Sequence, residues 1–284
     1  MKNTLYIAFA ILVSIASCTT DATNVEVPNT APKISVTCFI SDDIDTINAN
    51  IFWSDPVFTN SDRPEFPSDM DVRISNGTNE GVFTFNFDNG RYQLPVAQFP
   101  LVAGQTYTLT VRATDGTTVR ASTYIPLPAP VVTIATATIT EQEQSGGFEG
   151  GNYLLTFKTT LQNASEAFEY YRLSHYIRFQ DLVNEYDYSA NYGSTYVNDD
   201  ALNNNALYSE FNVQYFDFAL EQSQISCVTY IMNATEEYYR FHQTLENQSP
   251  GDPFSEPTLV YSNVENGLGV FAGYKKVRVE VLPQ

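Results

Sequence analysis

The stretch that decides the fold runs from Ile34 to Trp53 and reads ISVTCFISDDIDTINANIFW. Apolar side chains occupy every second position on both sides of an acidic turn, and this period places them on one face of a strand. The stretch therefore predicts two strands, each with one buried face. The residues expected on the buried faces are Ile34, Val36, Cys38, Ile40, Ile47, Ala49, Ile51 and Trp53.

The same alternation continues towards the middle of the chain, as in Gln105–Ala113. Asp88-Asn89-Gly90 and Asp115-Gly116 are hairpin-turn sequences, because Gly and Asn tolerate a positive φ. Roughly seven strand-like segments separated by such turns suit a β-sandwich of the immunoglobulin-like or prealbumin-like kind. We therefore predict a mostly β protein with a sandwich domain over residues 33–128.

A second β-rich domain is expected over residues 129–284. Prolines at positions 126, 128 and 130 mark a stiff boundary before it, because proline cannot donate to a sheet ladder. Within the second domain we predict one helix at about residues 235–248, capped by Asn233. Its apolar face follows the helical period. That face consists of Tyr238, Phe241, His242 and Leu245.

Composition excludes several classes of protein. The 284 residues carry 33 Asp and Glu against 14 Lys and Arg, for a formal net charge of −19, whereas a nucleic-acid binder needs a basic face. With 43% apolar residues the chain can build a core, so it is not expected to be disordered. The 3 cysteines are too few for a disulfide-dense scaffold.

The N-terminus indicates where the protein resides. Residues 1–17 have a Lys at position 2 and an apolar run of the length expected for a signal peptide, too short to span a bilayer. The run ends in Ile15-Ala16-Ser17-Cys18, which resembles a bacterial lipobox and implies cleavage before Cys18 and acylation of that residue. An ordinary secretory signal is the alternative. Residues 18–32 are expected to form a flexible tether.

The other two cysteines, Cys38 and Cys227, lie in strand-like sequence. Both are expected to be buried, as free thiols or, alternatively, as a disulfide in the exported compartment.

The C-terminal sequence carries a family resemblance. Asp252-Pro253-Phe254-Ser255-Glu256-Pro257 leads into Tyr261–Phe271, which reads YSNVENGLGVF. This resembles the family of Bacteroidota lipoproteins known as domain of unknown function 4249. The resemblance implies an exported outer-membrane lipoprotein that assists a TonB-dependent transporter, a β-barrel of that membrane, or another envelope complex. It implies no enzymatic activity, so no catalytic residues carry over.

The most specific residues of that motif are interpreted as structural, with a partner-docking loop as the alternative. The two glycines are expected to supply positive φ or close backbone approach, and the polar pair to hydrogen-bond the turn. These residues are Asn263, Glu265, Gly267, Gly269 and Phe271.

Few residues of the sequence indicate a catalytic or metal-binding site. His175 and His242 are the chain's only histidines, and both lie in apolar patterns that favour packing. No motif typical of a serine hydrolase, a zinc protease or a redox protein is present. Calcium is the only metal that the acidic clusters suggest, because it prefers clustered oxygen ligands. Those clusters are Asp42, Asp43 and Asp45, and Asp199 and Asp200.

The segment 185–216 is rich in Tyr and Asn. Such a composition suits either a β-hairpin with cross-strand aromatic pairs or a surface that captures a glycan or peptide. The candidate binding residues are Tyr186, Tyr188, Tyr192 and Tyr196. The leading functional expectation is a non-enzymatic accessory lipoprotein of the outer membrane. Ligand capture through this segment is the first alternative and a hydrolase the second.

Overall fold

The structure is a computed structural model. It describes residues 31–54, 66–127, 130–142, 151–162, 168–181, 186–201, 206–217, 223–248 and 259–284. The predicted signal peptide, Cys18 and the predicted domain boundary at residues 128–129 lie outside these ranges. Within them, no helix is long and apolar enough to cross a membrane.

The described chain is mostly β, as predicted. The first eight strands are β1 (Ile34–Ile40), β2 (Thr46–Trp53), β3 (Asp71–Ser75), β4 (Glu80–Val82), β5 (Thr84–Asn86), β6 (Arg91–Pro95), β7 (Thr106–Arg112) and β8 (Thr118–Tyr124). The other seven are β9 (Val131–Gln142), β10 (Gly151–Gln162), β11 (Tyr170–Asp181), β12 (Tyr186–Asn198), β13 (Ala206–Asp217), β14 (Ser223–Ala234) and β15 (Leu268–Val281). A 3₁₀ turn spans Asp199–Ala201, and the helix α1 spans Glu236–Glu246.

One long sheet joins the two halves of the molecule. Its eight strands lie in the order β12-β11-β14-β15-β1-β2-β6-β5. A four-stranded sheet, β4-β3-β7-β8, packs on the β1 end, and a three-stranded sheet, β13-β10-β9, packs on the β12 end. The result is two sandwiches that share one sheet.

Strand β15 links the two sandwiches. Its first part pairs in parallel with β1, from Leu268 opposite Ser35 to Gly273 opposite Ile40. Its second part pairs antiparallel with β14, from Tyr274 to Val281. The sheet is therefore continuous from the first strand of the N-terminal half to the C-terminal half.

The first sandwich has one core cluster, and the predicted alternation accounts for it. Ile34, Val36, Cys38 and Ile40 are buried, and so are Ile47, Ala49 and Ile51, while Trp53 packs at the margin. Tyr107, Leu109 and Val111 of β7 are buried as predicted, and so is Ala113, the residue after the strand. Phe271 of β15 and Val264 join this core, although they are distant in sequence.

The second sandwich has two smaller clusters. Leu155 and Phe157 of β10 face Ile177 of β11 and Cys227 of β14 in one of them. The other includes Leu161, Tyr171, Leu173, Leu207 and Ile231. Cys38 and Cys227 belong to different cores and are free thiols, so the expected burial is confirmed and the disulfide alternative is not.

Helix α1 lies on the outer face of the large sheet, where Tyr238 contacts Val270 and Ala272 of β15. Two predictions about this helix were wrong. Leu245, in the last turn, is 44% exposed, whereas the buried residue of the helix is Tyr238 in the first turn. Thr235 rather than Asn233 is the N-cap, since the Asn233 side chain donates instead to Glu169 Oε1 at 2.8 Å.

Candidate functional site

The two acidic clusters take part in the protein's own contacts. Lys275 Nζ lies 2.5 Å from Asp42 Oδ2, and Lys276 Nζ lies 3.2 Å from Asp43 Oδ2. Asp199 Oδ2 accepts a hydrogen bond from the main chain of Glu169. A calcium ion at either place would have to compete with a lysine or an amide. Within the described ranges, no group of three or more potential ligands could hold a metal ion.

His175 packs in the second core. Its ring stacks on Phe211 at 4.6 Å, and its Nδ1 lies 2.9 Å from the hydroxyl of Thr229. Burial lowers the pKa of His175 to about 4, so the ring is neutral at pH 7. A neutral imidazole that is stacked on one side and hydrogen-bonded on the other serves packing, as the sequence predicts.

The Tyr- and Asn-rich segment does not form a hairpin. Its first half is β12, which pairs with β11, and its second half is β13, which pairs with β10 in the opposite sheet. The side chains of Tyr186, Tyr188 and Tyr192 lie outside the described part of the structure, although their main chain belongs to β12. Of the four predicted binding residues, only Tyr196 has a described environment.

Tyr196 belongs to a cluster that we call the helix seam: Phe39, Arg172, Tyr196, Tyr238 and His242. The His242 ring lies between Phe39, at a centroid distance of 5.3 Å, and Tyr196, at 5.6 Å. Burial, and secondarily the positive charge of Arg172, lower the pKa of His242 to about 4. The seam therefore holds a neutral histidine between two aromatic faces.

Arg172 is the charged member of the helix seam. Its Nη1 donates to the Tyr238 hydroxyl at 2.6 Å, and its Nη2 donates to Ser194 Oγ at 3.2 Å. Its guanidinium lies 5.5 Å from the centre of the Tyr196 ring, which is a cation–π distance. These contacts tie α1 to β11 and β12, so Tyr196 acts in packing between helix and sheet.

An exposed aromatic cluster borders the seam. We call it the aromatic rim and define it as Tyr124, Phe168, Tyr170 and Tyr239. The Phe168 and Tyr170 rings lie 5.2 Å apart, and those of Tyr170 and Tyr239 lie 5.1 Å apart. Phe168 is 51% exposed and Tyr124 is 47% exposed. Flat aromatic faces with hydroxyl groups at their edges can stack on sugar rings or on peptide groups.

Acidic side chains surround the rim. Partial burial, and then the negative charges of Glu237 and Glu236, raise the pKa of Tyr124. Burial and Glu236 likewise raise the pKa of Tyr170. The hydroxyl groups of Tyr124 and Tyr170 therefore stay protonated and can donate hydrogen bonds to a ligand. This setting favours a neutral or cationic ligand over an anion.

The motif residues near the C-terminus attach β15 to the first sandwich. Asn263 Oδ1 accepts from the Phe271 amide at 3.0 Å, and Asn263 Nδ2 donates to the Phe271 carbonyl at 2.8 Å. Glu265 makes its contacts through the main chain, with its amide and carbonyl paired to Arg120 of β8. Phe271 is fully buried.

The two motif glycines act differently. Gly269 has a φ of +95°, and a Cβ there would lie 2.0 Å from the carbonyl oxygen of Val36. Gly267 has no positive φ, but a Cβ would lie 2.7 Å from the carbonyl oxygen of Ile34. Both therefore allow close approach of the main chain to β1, and only Gly269 also uses the left-handed region.

Two surface hollows lie in the first sandwich, away from the rim. One has a volume of about 230 Å³ and is lined by Trp53, Met70 and Asp69 among others. The other, of about 470 Å³, is lined largely by amides, including Asn76, Asn79 and Gln98. Neither hollow contains a predicted site residue.

Sequence reasoning missed the aromatic rim. Tyr124 ends β8 and Phe168 precedes β11, so neither belongs to an aromatic-rich stretch with the other. Only the pair Tyr238-Tyr239 and the run Tyr170-Tyr171 gave a local signal. These residues come close to each other because α1 crosses the sheet. The sequence pattern does not predict that crossing.

Similar solved structures are distant. A cytokine receptor complex (crystal form 1A) is 10% identical, with 87% of this chain and 94% of that chain covered and a TM-score of 0.23. The BSP domain of a biofilm associated protein is also 10% identical, with 88% of this chain and 59% of that chain covered and a TM-score of 0.20. The B domain of a biofilm associated protein is 10% identical, with 88% and 86% covered and a TM-score of 0.18. At these TM-scores none of them bears on function.

No curated protein matches the chain. The family model described as Domain of unknown function (DUF4249) matches residues 20–280, which is most of the chain and includes both sandwiches and the C-terminal motif. The chain therefore belongs to the DUF4249 family.

Proposed function

We propose that this protein is a lipid-anchored, non-enzymatic accessory protein of the outer membrane that docks on a TonB-dependent transporter or another envelope complex. The observation that carries the proposal is the leader ending in Ile15-Ala16-Ser17-Cys18. An acylated Cys18 would hold the body at a membrane, since each buried methylene contributes about 0.8 kcal/mol. The family resemblance is the reason that a TonB-dependent transporter is the first candidate for the partner.

The short distance in sequence between Cys18 and the first strand supports an anchored role. Residues 19–30, fully extended, reach at most about 40 Å, so the body stays close to the bilayer. The strand that follows, β1, lies in the interior of the large sheet and pairs with β15 and β2. The net charge of −19 repels anionic headgroups, so the surface is available to a partner instead of the lipid.

The state of the His and Cys side chains supports a non-enzymatic role. Both histidines are neutral and stacked against aromatic rings. Cys227 is buried, which raises its thiol pKa to about 12, and burial also raises the thiol pKa of Cys38. A nucleophilic thiol needs a lowered pKa, so these residues suit a core and not an acyl transfer.

The test is purification of the native protein from its own membranes in mild detergent, followed by mass spectrometry. We expect a diacyl or triacyl modification on Cys18 and a stoichiometric outer-membrane β-barrel or assembly component. The Cys18→Ser variant should lose both the modification and the barrel. A non-lipidated protein, or a lipidated one recovered alone, would contradict the proposal.

Ligand capture is the second candidate, and the aromatic rim favours it. We expect Tyr124→Ala and Tyr239→Ala to weaken binding of a peptide digest or of cello-oligosaccharides at least about tenfold, because each removes a stacking face. Tyr208→Ala is the matched control, since Tyr208 is 57% exposed on β13 outside the rim. Equal binding by all three variants and the wild type would exclude the rim.

A further inference from the structure

The free edges of the three sheets differ in how they are protected. An edge strand presents unpaired main-chain groups that invite another strand, and proteins block such edges by shortness, charge, proline or cover. The sheet orders leave six edge strands among the described residues: β12 and β5, β13 and β9, and β4 and β8.

Four of the six edges are blocked. Strands β4 and β5 have three residues each, too few to template a partner. The edge of β8 is occupied by Glu265, whose amide donates to the Arg120 carbonyl at 2.8 Å. The edge of β9 is bridged at its middle by the C-terminus, because the Gln284 amide donates to the Ala137 carbonyl at 3.0 Å and the Ile139 amide donates to the Gln284 carbonyl at 3.4 Å. In each case the structure itself closes the edge.

Strand β12 has none of these protections. It is 13 residues long and reads YDYSANYGSTYVN, with one charged residue, no lysine and no proline. In the described part of the chain its only strand partner is β11, so its outer edge is unpaired. Such an edge is long, nearly uncharged and rich in residues that favour strands.

Strand β13 is less suited to accept a partner. Its exposed Glu210 pairs with Lys158 of β10 at 3.5 Å and accepts from the Tyr208 hydroxyl. A charged network on the edge strand is one of the devices that discourage strand addition. The comparison leaves β12 as the edge that the fold does not close.

We propose that β12 accepts an extended segment of a partner protein as an added strand of the large sheet. The inference rests on the proposed function, since the partner is the envelope complex that the anchored protein joins. Main-chain hydrogen bonds supply the affinity in this mode of recognition, and side chains on alternate positions supply the specificity. The added strand would extend the eight-stranded sheet by one strand.

The net charge of the protein indicates which kind of segment would pair with β12. Two copies of a chain with a net charge of −19 repel each other, so pairing of β12 with its own copy is disfavoured. The occupant is therefore a segment of a different protein that is poor in acidic residues. A register shift between His175 and Tyr176 leaves Tyr192 without a paired residue on β11 and divides the edge strand into the runs 186–191 and 193–198.

The test begins with the membrane-extracted full-length protein and its complex. An affinity tag belongs in residues 19–30, because a C-terminal tag would disturb the pairing of Gln284 with β9. We expect the complex to slow deuterium uptake at about half of the amides in residues 186–198, since alternate residues of a strand direct their amides to each edge. Residues 137–139 of β9 are the control, because the C-terminus already bridges the edge there.

Variants locate the contact. Ser189→Lys and Thr195→Lys each place a lysine at an exposed position of one run, and lysine is a natural blocker of sheet edges. At least one of them should reduce retention of the partner about tenfold or more. Thr138→Lys, at an exposed position of β9, is the matched control and should retain the partner.

The outcomes separate this inference from the proposed function. A complex with a protected β12 and a sensitive lysine variant supports strand addition. A complex in which β12 exchanges as in the free protein, with both lysine variants retaining the partner, overturns strand addition and leaves the accessory role standing. Recovery of the lipoprotein alone overturns both.

Discussion

The two sandwiches share a sheet but differ in how completely they are closed. The first has a single core cluster, and all of its edge strands are short or bridged. The second has two smaller clusters and the long edges of β12 and β13. The first sandwich therefore leaves no long edge strand unbridged, whereas the second leaves β12 and β13 as long edge strands.

Strand β15 shows the same contrast within one element. Residues 270–273 are buried, because the first core lies on one side and α1 on the other. From Lys275 onwards none of its residues is fully buried, and Arg278 and Glu280 are exposed. A parallel pair such as β1 and β15 is usually covered on both faces, and α1 supplies the second cover here.

The largest effect on stability is expected where β15 pairs with β1. Gly269→Ala should lower the free energy of unfolding by more than about 4 kcal/mol or prevent folding, because the new Cβ meets the Val36 carbonyl in addition to backbone strain. Urea denaturation followed by circular dichroism measures this loss.

Gly116→Ala is the matched control for Gly269→Ala. Gly116 has a φ of +89°, but a Cβ there meets nothing within 4 Å. The expected loss is therefore the strain alone, about 1 kcal/mol. Similar losses for the two variants would mean that the β1–β15 contact does not hold the halves together.

Core deletions test whether the two sandwiches unfold as one body. Leu109→Ala in the first core and Leu155→Ala in the second should each cost about 2–5 kcal/mol, because both side chains are only 2% exposed. Since the large sheet is continuous, we expect each variant to lower the midpoint of one common transition. Two transitions, each sensitive to one variant only, would show that the halves fold independently, as the predicted boundary near residue 128 implies.

The sequence predicted the local elements well where the pattern was periodic. Strands β1, β2 and β7 alternate at period two, and α1 repeats at the helical period, so their buried faces could be read directly. Leu245 shows the limit of that interpretation, because the periodicity of a helix does not tell how completely its apolar face is covered.

Pairing between distant segments was not predictable. Nothing in the sequence indicates that Leu268–Gly273 lies beside Ser35–Ile40, or that β12 and β13 belong to opposite sheets. The aromatic rim depends on the tertiary structure as well, because Tyr170 of β11 and Tyr239 of α1 come from segments far apart in the sequence. The motif glycines were recognised from their residue type, but their partners on β1 appear only in three dimensions.

Acid should weaken the helix seam and the second core, because each contains one of the two histidines. Each has a pKa of about 4 in the folded protein against an ordinary value of 6.5. A depressed histidine pKa means that the unfolded chain binds more protons, so stability is lost as pH falls from about 6.5 to about 4. The loss is on the order of 3 kcal/mol for each histidine.

The variant His242→Phe separates the contribution of the helix seam to this acid sensitivity from that of the second core. Phenylalanine keeps the stack between Phe39 and Tyr196 and removes the titration beside Arg172. The gap in stability between this variant and the wild type should therefore widen in favour of the variant as pH falls from 7 to 4. A gap that stays constant would mean that His242 is not buried as a neutral ring.

The smallest effect is expected at the motif asparagine. Asn263→Ala removes the hydrogen bonds to the Phe271 amide and carbonyl and should cost about 1–2 kcal/mol. Glu265→Ala should cost less than about 0.5 kcal/mol, because Glu265 holds β8 through its main chain and its side chain is exposed. Chemical denaturation ranks the two. If Glu265→Ala instead left stability intact but abolished recovery of the envelope partner, the motif would be a docking loop, and the closed first sandwich would share in binding after all.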